Sequence, residues 1–392
     1  MIDFDPFSET YFDDPFSIYK RMRDEAPALY LEEYDCFFLS RFQDIWDAVS
    51  NHRFSHRSGT NSQDLLVGRL PARALSNLVP PEHTALRKRL APYFTPNAAK
   101  RLEPVVRESV RSLLRELIEK GEFDVVRGFA ARVAARVAFS LIGLPVSDAD
   151  AVMADVALAF DREPGRKEPT EAAKQAMVRI NAYLGDAIAE RIDRPGEGDL
   201  FSEFVRFEWE GRRYPREEIQ ANLYLFVIGG TETLPKVLSG TLYQLWKDPA
   251  QRAAVAADPS LAPDAFWEGL RYEMPTLMLG ASAEEDTVIC GGTPIRKGQK
   301  IMHLWASANR DEREFAEPDR FDIHRRAPRI LSFNHGTHRC LGAHIAQLEG
   351  RIMLEELLAA APHYEVLDAR SIRIRSEFFR GFQSFWVDAR VS

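Results

Sequence analysis

Apolar and polar positions alternate at two spacings along the chain, and the helical spacing dominates. Between about Pro96 and Met274, apolar residues recur every three or four positions, as in amphipathic helices, and Pro275 interrupts the pattern. Shorter strand-like segments lie toward the two ends, at 28–31, 36–39, 288–290, 300–304, 372–374 and 384–387. The pattern predicts a mainly α-helical protein with small β-sheets at its edge.

The long helical pattern over residues 216–247 contains one interruption. Pro235 has no NH for the carbonyl of Thr231, and its ring crowds that carbonyl, so we expect the helix to open or kink there. The freed carbonyl, a hydroxyl and the carboxylate of Glu232 would then lie close together, in a gap that can hold water and pass protons. The alternative is two helices that break at Gly229-Gly230, because two glycines cost roughly 2 kcal/mol of helix propensity.

A last long helix is predicted from about 342 to 361, where Pro362 ends it. One face of this helix is apolar and carries Ile345, Leu348, Ile352 and Ala359. We expect that face to be buried, which would give the loop before the helix a rigid floor.

The loop at 333–342 carries the most distinctive chemistry of the chain. Gly336 and Gly342 permit positive φ and a close approach of the backbone to a flat ligand. Cys340 lies just before the last helix, whose N-terminal NH groups are expected to lower the thiol pKa and stabilise the thiolate. A thiolate in this position is a metal ligand or a nucleophile.

Two further interpretations of the cysteine are open from the residues alone. Zinc could be bound by His335, His338, Cys340 and His344, although structural zinc sites usually take ligands from two separated segments. Cys340 could also be a nucleophile, which requires a partner base.

Two pairs of charged residues have helical spacing. Glu268 and Arg271 stand three apart, and His83 and Arg87 stand four apart, so each pair shares a helix face. Taken alone, the first pair could be a surface ion pair, and the second could belong to a solvated basic face.

Composition limits the classes of partner and compartment. The 392 residues are 45% hydrophobic and carry a net charge of -8, which argues against nucleic acid or an anionic membrane as the main partner. Three cysteines, far apart and odd in number, favour a reducing cytosol. No apolar run approaches the roughly 20 residues that span a bilayer, and the first residues are acidic rather than signal-like. We expect a soluble, cytoplasmic, monomeric protein with a single domain over residues 1–392.

Five motifs in order make the chain resemble the cytochrome P-450 family, in its soluble bacterial form. The cysteine loop is similar to the haem-binding signature of that family. The motifs are Pro81-Glu82-His83-x-x-x-Arg87, Gly229-Gly230-Thr231-Glu232-Thr233, Glu268-x-x-Arg271, Pro318-Asp319-Arg320-Phe321 and Phe333-x-x-Gly336-x-His338-x-Cys340-x-Gly342. The resemblance covers nearly the whole chain and implies the fold of that family, with a long central helix over haem b.

The resemblance also implies a role for each motif. Cys340 would be the thiolate ligand of the haem iron, held in a loop shaped by Phe333, Gly336 and Gly342. The remaining roles implied are propionate binding by His83, Arg87 and His338, proton delivery by Glu232 and Thr233, and a buried network of Glu268, Arg271 and Arg320. In one respect the chain departs from the family pattern, because Ala281 stands where another propionate-binding arginine is usual.

The activity implied is that of a monooxygenase. It would insert one oxygen atom from O2 into a small, mostly apolar organic substrate, by hydroxylation or oxidative dealkylation. Electrons would come from a ferredoxin and its NAD(P)H-dependent reductase, which would dock on a basic patch formed by Lys88, Arg89, Arg339 and Arg351. A peroxide-using haem-thiolate enzyme, or a haem sensor or carrier without catalysis, is the alternative.

By the same resemblance, residues from four segments would line the substrate pocket. The candidates are Leu65, Leu66, Val67, Leu75, Phe226, Thr231, Leu277, Met278, Leu279, Phe382 and Gln383. Each could equally belong to the ordinary core.

Overall fold

Helices make up most of the chain in this computed structural model, which describes residues 2–163 and 165–390. The α-helices are α1 (Glu9–Asp13), α2 (Phe16–Glu25), α3 (Phe42–Ser50), α4 (Ser62–Leu65), α5 (Glu82–Leu90), α6 (Pro96–Lys120), α7 (Ala131–Ile142), α8 (Ala149–Val156), α9 (Glu171–Arg191), α10 (Leu200–Arg206), α11 (Arg216–Thr231), α12 (Thr233–Lys247), α13 (Pro249–Ala257), α14 (Ala262–Glu273), α15 (Trp305–Ala308) and α16 (Ala343–Ala360). The prediction of a mainly α-helical protein is confirmed.

The strands are short and lie mostly toward the two ends of the chain, as predicted. They are β1 (Ala28–Leu31), β2 (Cys36–Leu39), β3 (Phe54–Ser55), β4 (Glu122–Asp124), β5 (Glu208–Trp209), β6 (Arg212–Arg213), β7 (Met278–Ala283), β8 (Thr287–Ile289), β9 (Thr293–Ile295), β10 (Lys300–Leu304), β11 (Glu365–Val366), β12 (Ile372–Arg373), β13 (Phe382–Ser384) and β14 (Trp386–Asp388). The largest sheet has the order β1-β2-β10-β7-β3, in which β2 and β10 are parallel and the other pairs are antiparallel.

The central helical pattern is interrupted at Glu232, as the proline predicts. Gly229 and Gly230 lie inside α11, so the alternative break at the two glycines is wrong. At the opening, the Thr233 hydroxyl donates to the Gly229 carbonyl over 3.4 Å, and the Lys236 ammonium donates to the Glu232 carbonyl over 2.8 Å. Side chains thus bond to backbone carbonyls on both sides of the opening.

Helix α16 lies in the middle of the core, where it packs against α6, α12 and α14. A side chain at Gly350 would overlap the ring of Phe266, so the glycine lets α14 and α16 approach closely. Ile345, Leu348 and Ile352 are buried as predicted, whereas Ala359 is exposed because the helix emerges from the core in its last turn.

The pair Glu268 and Arg271 is fully buried and connects α14 to the chain that follows it. Two guanidinium nitrogens of Arg271 bind the carboxylate of Glu268 at 2.7 and 2.8 Å, and the side chain also donates to the carbonyls of Asn309 and Pro318 at 2.8 and 2.9 Å. The surface-pair interpretation is therefore wrong.

The third member of this network is Arg325, and the prediction of Arg320 is wrong. Arg325 donates to Glu268 over 3.1 Å, with a side chain that is 12% exposed. The side chain of Arg320 is 59% exposed and pairs with Glu317 and Asp322. Arg320 contributes only its backbone carbonyl, which accepts from Arg271 and Arg325.

We expect Arg325→Ala to lower the free energy of unfolding by about 3 kcal/mol, because it leaves the buried Glu268 carboxylate short of a cation. Arg320→Ala is the matched control and is expected to change stability little, because its ion pairs are exposed. Denaturant unfolding of the two purified variants checks this. Equal losses of stability in both variants would contradict the assignment of Arg325.

Candidate active site

One apolar cavity brings together the central helix opening and the cysteine loop. Its polar and special residues come from the segment after β3, from α5, α11, α12 and β10, and from the loop before α16. They include His56, His83, Arg87, Gly229, Thr233, His303, Phe333, His338, Arg339, Cys340 and Gly342. Apolar side chains, among them Leu75, Phe226, Leu234 and Leu279, form much of the remaining wall.

The cysteine loop is fixed by backbone geometry. The Cys340 NH donates to the Phe333 carbonyl over 2.7 Å, which closes the loop on itself. Asn334 and Gly336 have φ values of 58° and 64°, so Gly336 uses the positive φ that glycine permits. Gly342 does not use it, because its φ is -78°. A side chain at Gly342 would nevertheless have no neighbouring atom within 4 Å, so space for a flat ligand lies beside it.

The accessible surface of Cys340 opens into this cavity. Burial among protein atoms raises the pKa of the thiol, while the Gly342 NH and the guanidinium groups of Arg87 and Arg339 act in the opposite direction. The expectation of a net lowered pKa is therefore wrong for the protein alone. Metal coordination deprotonates a thiol outright, so the arrangement suits a metal ligand better than a free nucleophile.

Several cationic or imidazole groups gather at one end of the cavity. The ring centroid of His338 lies 4.1 Å from those of both His83 and His56, and Arg87 donates to the Arg339 carbonyl over 2.5 Å. Burial lowers the pKa of His83 to about 4 and that of His338 to about 2. Both ring nitrogens of buried His83 lack a hydrogen-bond partner among the described residues.

An unsatisfied buried polar group costs about 1–3 kcal/mol, so this end of the cavity is built to receive a ligand with acceptor atoms. An anion with several oxygens fits, because it would pair with Arg87 and accept a hydrogen bond from the ring NH of His83. The propionates of haem have this chemistry, and the space beside Gly342 and Cys340 fits the flat ring of that cofactor.

The zinc interpretation does not agree with the side-chain positions. His335 stacks on the ring of Trp46, with a centroid distance of 3.7 Å. Among residues 2–163 and 165–390, no three or more His, Cys, Asp or Glu side chains are arranged to hold a metal ion. The nucleophile interpretation lacks its base, since the ring of His338 packs against His56 and His83.

Glu232 and Thr233 face two different cavities. Thr233 lines the main cavity, whereas Glu232 lines a second one, together with Lys236, Phe382 and Gln383. The carboxylate of Glu232 forms a buried ion pair with Lys236, four residues along the chain, at 2.5 Å. The helix opening thus separates the alcohol from its neighbouring acid.

Most of the predicted substrate residues do not line the main cavity. Of the eleven candidates, only Leu75, Phe226 and Leu279 do so. Thr231 is buried, and its hydroxyl donates to the Val227 carbonyl. The positions that do not line this cavity are Leu65, Leu66, Val67, Thr231, Leu277, Met278, Phe382 and Gln383.

Only half of the predicted basic patch is available for a partner. Arg89 pairs with Glu203, and Arg351 pairs with Glu103 and Glu355. Lys88 and Arg339 are exposed, and within the described part of the chain neither has an ion-pair partner; they remain as candidates for a docking patch.

Two residues of the site were missed by the sequence analysis. His303 lies on β10 and His56 in the segment that follows β3, and both line the main cavity. Neither belongs to a short motif, so only the sheet register places them here.

Comparisons with known proteins agree with the geometry of the site. The cytochrome P-450 family model matches residues 260–366. The chain is 34% identical to the putative cytochrome P-450 123 of Mycobacterium tuberculosis, over 96% of this chain and 94% of that protein. It is 31% identical to the vitamin D(3) 25-hydroxylase of Pseudonocardia autotrophica, over 91% and 89% of the two chains.

Solved structures give the same result. A mutant of EryK in complex with erythromycin B matches with a TM-score of 0.85 and 30% identity, over 96% of each chain. CYP109E1 of Bacillus megaterium in complex with testosterone matches with a TM-score of 0.86 and 26% identity, over 98% of this chain and all of that one. The described helices include none with the length and apolar character of a membrane span.

Proposed function

Because the chain belongs to the cytochrome P-450 family, we propose that it inserts one oxygen atom from O2 into a small, mostly apolar organic substrate by hydroxylation or oxidative dealkylation. As a member of that family it is a monooxygenase, an oxidoreductase that binds haem b. The observation that carries the proposal is the single apolar cavity that contains both Cys340 and Thr233.

Each part of the site has a separate task. Haem, when bound, supplies the oxidising chemistry, and a thiolate ligand favours cleavage of the O–O bond. Cys340 is the residue that would hold the iron, and His83, Arg87 and His338 would bind the propionates. Phe333, Gly336 and Gly342 keep the cysteine loop in the shape that presents the sulfur.

Proton supply is the task we assign to Glu232 and Thr233. The Thr233 hydroxyl lies 3.4 Å from the Gly229 carbonyl, a weak hydrogen bond that leaves it free to bind a ligand in the main cavity. Glu232 lies on the other side of the opening, where its pairing with Lys236 holds a carboxylate beside the second cavity. We infer that protons pass from the second cavity through the opening to Thr233.

The apolar wall supports an apolar substrate. Leu75, Phe226, Leu234 and Leu279 face the space in which a substrate would lie. The name of one relative indicates action on vitamin D(3), and a similar structure was solved with testosterone, both mostly apolar molecules. A substrate of this general class suits the cavity.

The family requires a redox partner, and we infer that a ferredoxin with its NAD(P)H-dependent reductase fills this role. Lys88 and Arg339 form the exposed basic pair beside the cysteine loop. An acidic iron-sulfur protein would find complementary charge there, on the side of the site nearest the thiolate.

The absorption spectrum of the reduced carbon monoxide complex tests the assignment of Cys340. Thiolate ligation is expected to give a strongly red-shifted Soret band, and Cys340→His is expected to lose this shift while keeping haem. An unshifted band in the parent protein would contradict the proposed ligand.

We expect Thr233→Ala to uncouple electron use from product formation, because a hydroxyl group that would donate protons in the main cavity is lost. Peroxide released per NAD(P)H consumed should rise severalfold. Thr231→Ala is the matched control, since that hydroxyl is bonded within its own helix. Coupling at the parent level in Thr233→Ala would contradict the role in proton supply.

Reversing the exposed basic pair should slow reduction by an acidic ferredoxin. In Lys88→Glu/Arg339→Glu we expect the rate constant at low salt to fall about tenfold or more and its salt dependence to flatten. Arg296→Glu/Lys297→Glu, at an exposed turn between β9 and β10, is the charge-matched control. Stopped-flow reduction under carbon monoxide measures these rates, and equal rates in all proteins would rule out this docking patch.

A further inference from the structure

The departure from the family pattern at Ala281 lies in a strand with histidines on both flanks. In the antiparallel pair of β7 with β10, Ala281 lies opposite Ile301, and Leu279 lies opposite His303. Opposite residues share a face, and so do alternate residues of one strand. His303 is therefore the diagonal neighbour of Ala281 on the same face of the sheet.

The other flank of β7 brings His56 to the same place. Phe54 and Ser55 of β3 lie opposite Ala283 and Ser282 of β7. Continuing this ladder by one residue places His56 next to Ala281. The small alanine thus lies between two imidazole-bearing positions, where a long arginine side chain would compete with them for space.

Both histidines face the main cavity and have hydrogen-bonding capacity to spare. His303 is 2% exposed, and its Nε2 has no partner among the described residues. The Nδ1 of His56 is likewise buried without a partner. The ring centroid of His56 lies 4.1 Å from that of His338, so the two extra histidines extend the group formed by His83, Arg87 and His338.

Several ring nitrogens of this group lack a hydrogen-bond partner among the described residues, so the group is open to a ligand from outside the protein. Burial lowers the pKa of His56 to about 4 and that of His303 to about 3, with a further lowering from the neighbouring imidazoles. Within residues 2–163 and 165–390, no carboxylate forms an ion pair with any of the four histidines of this cavity or with Arg87. Four imidazoles and one guanidinium thus gather at this end of the cavity. The carboxyl group in the described lining is that of Glu349, whose burial raises its pKa well above the usual value, so it does not offer these groups an anion.

We propose that His56 and His303 bind a haem propionate in the place of the arginine that Ala281 lacks. The proposal rests on the haem position argued above, and it assigns to this chain a propionate site of four histidines and one arginine. A carboxylate accepts hydrogen bonds from neutral or protonated imidazole NH groups alike, so the site does not require a fixed charge at either added residue.

Haem retention by the holoenzyme tests the proposal. His56→Ala and His303→Ala each remove a hydrogen bond to a charged group, so the rate constant for haem transfer to excess apomyoglobin should rise on the order of tenfold for each and further in the double variant. The midpoint potential should become more negative, because an uncompensated propionate charge disfavours the reduced iron. His52→Ala, at an exposed position in the same segment, should match the parent protein.

Complementation separates a propionate contact from a general packing defect. Ala281→Arg in the double variant restores the missing cation and should return haem transfer toward the parent rate. His56→Gln and His303→Gln retain a side-chain NH donor at similar size, and they should lose haem more slowly than the alanine variants. Restoration by the Ala281→Arg substitution and partial rescue by glutamine support the proposal.

If haem transfer and midpoint potential are unchanged in the double variant, the proposal that His56 and His303 bind a propionate is wrong. It is also wrong if His52→Ala changes haem transfer and potential as much as the His56 and His303 substitutions do. Parallel measurements on His83→Ala and Arg87→Ala distinguish this outcome from failure of the haem position itself. If those two variants lose haem rapidly while His56→Ala and His303→Ala do not, only the proposal for the added histidines fails. If none of the four loses haem faster than the parent, the proposed propionate end of the cavity is wrong.

Discussion

The buried ion pair of Glu268 and Arg271 determines where the cysteine loop lies. Arg271 donates to the Asn309 carbonyl, while the Asn309 amide oxygen accepts from the Leu331 NH at 2.8 Å and its amide nitrogen donates to Ser332 at 2.8 Å. Ser332 in turn donates to the Leu270 carbonyl at 2.7 Å, one residue before Arg271. Leu331 and Ser332 directly precede the loop. A charged pair that would be costly to bury alone is satisfied on every side, and its hydrogen bonds extend to the chain that carries Cys340.

The helix opening at Glu232 borders the same cavity as the cysteine loop and has a less regular hydrogen-bond pattern. A proline inside a helix leaves a carbonyl without its NH partner, and the side chains of Thr233 and Lys236 bond to backbone carbonyls around the gap. The same two residues differ in surroundings, because one faces an apolar cavity and the other a buried carboxylate. Thus the site pairs a firmly held thiol with a less regular stretch of helix.

Sequence reasoning succeeded where a local pattern determines the outcome. Periodicity predicted the helical class and the exact bounds of three strands, and Pro235 predicted the position of the opening within a few residues.

Prediction from the sequence failed where tertiary packing decides the outcome. Arg320 and Arg325 lie in one short segment, and only the fold determines which of them turns toward Glu268. Thr231 and Thr233 differ by two positions on a helix and so face different directions. His56 and His303 lie almost 250 residues apart in the sequence, and only β7, which pairs with β3 and with β10, brings them together. The sequence pattern did not predict β7, because its small residues have low strand propensity.

The arrangement of the propionate end has a consequence for assembly of the protein. His56, the pair on α5, His303 on β10 and His338 in the cysteine loop come from four segments spread over most of the chain. With the proposed binding, a haem propionate held among them would act as a non-covalent cross-link between the N-terminal region, the sheet and the C-terminal core. Because unpaired polar groups are costly to bury, binding of the cofactor would stabilise the packing of these four segments. The ligand would then complete the tertiary structure as well as the catalytic site.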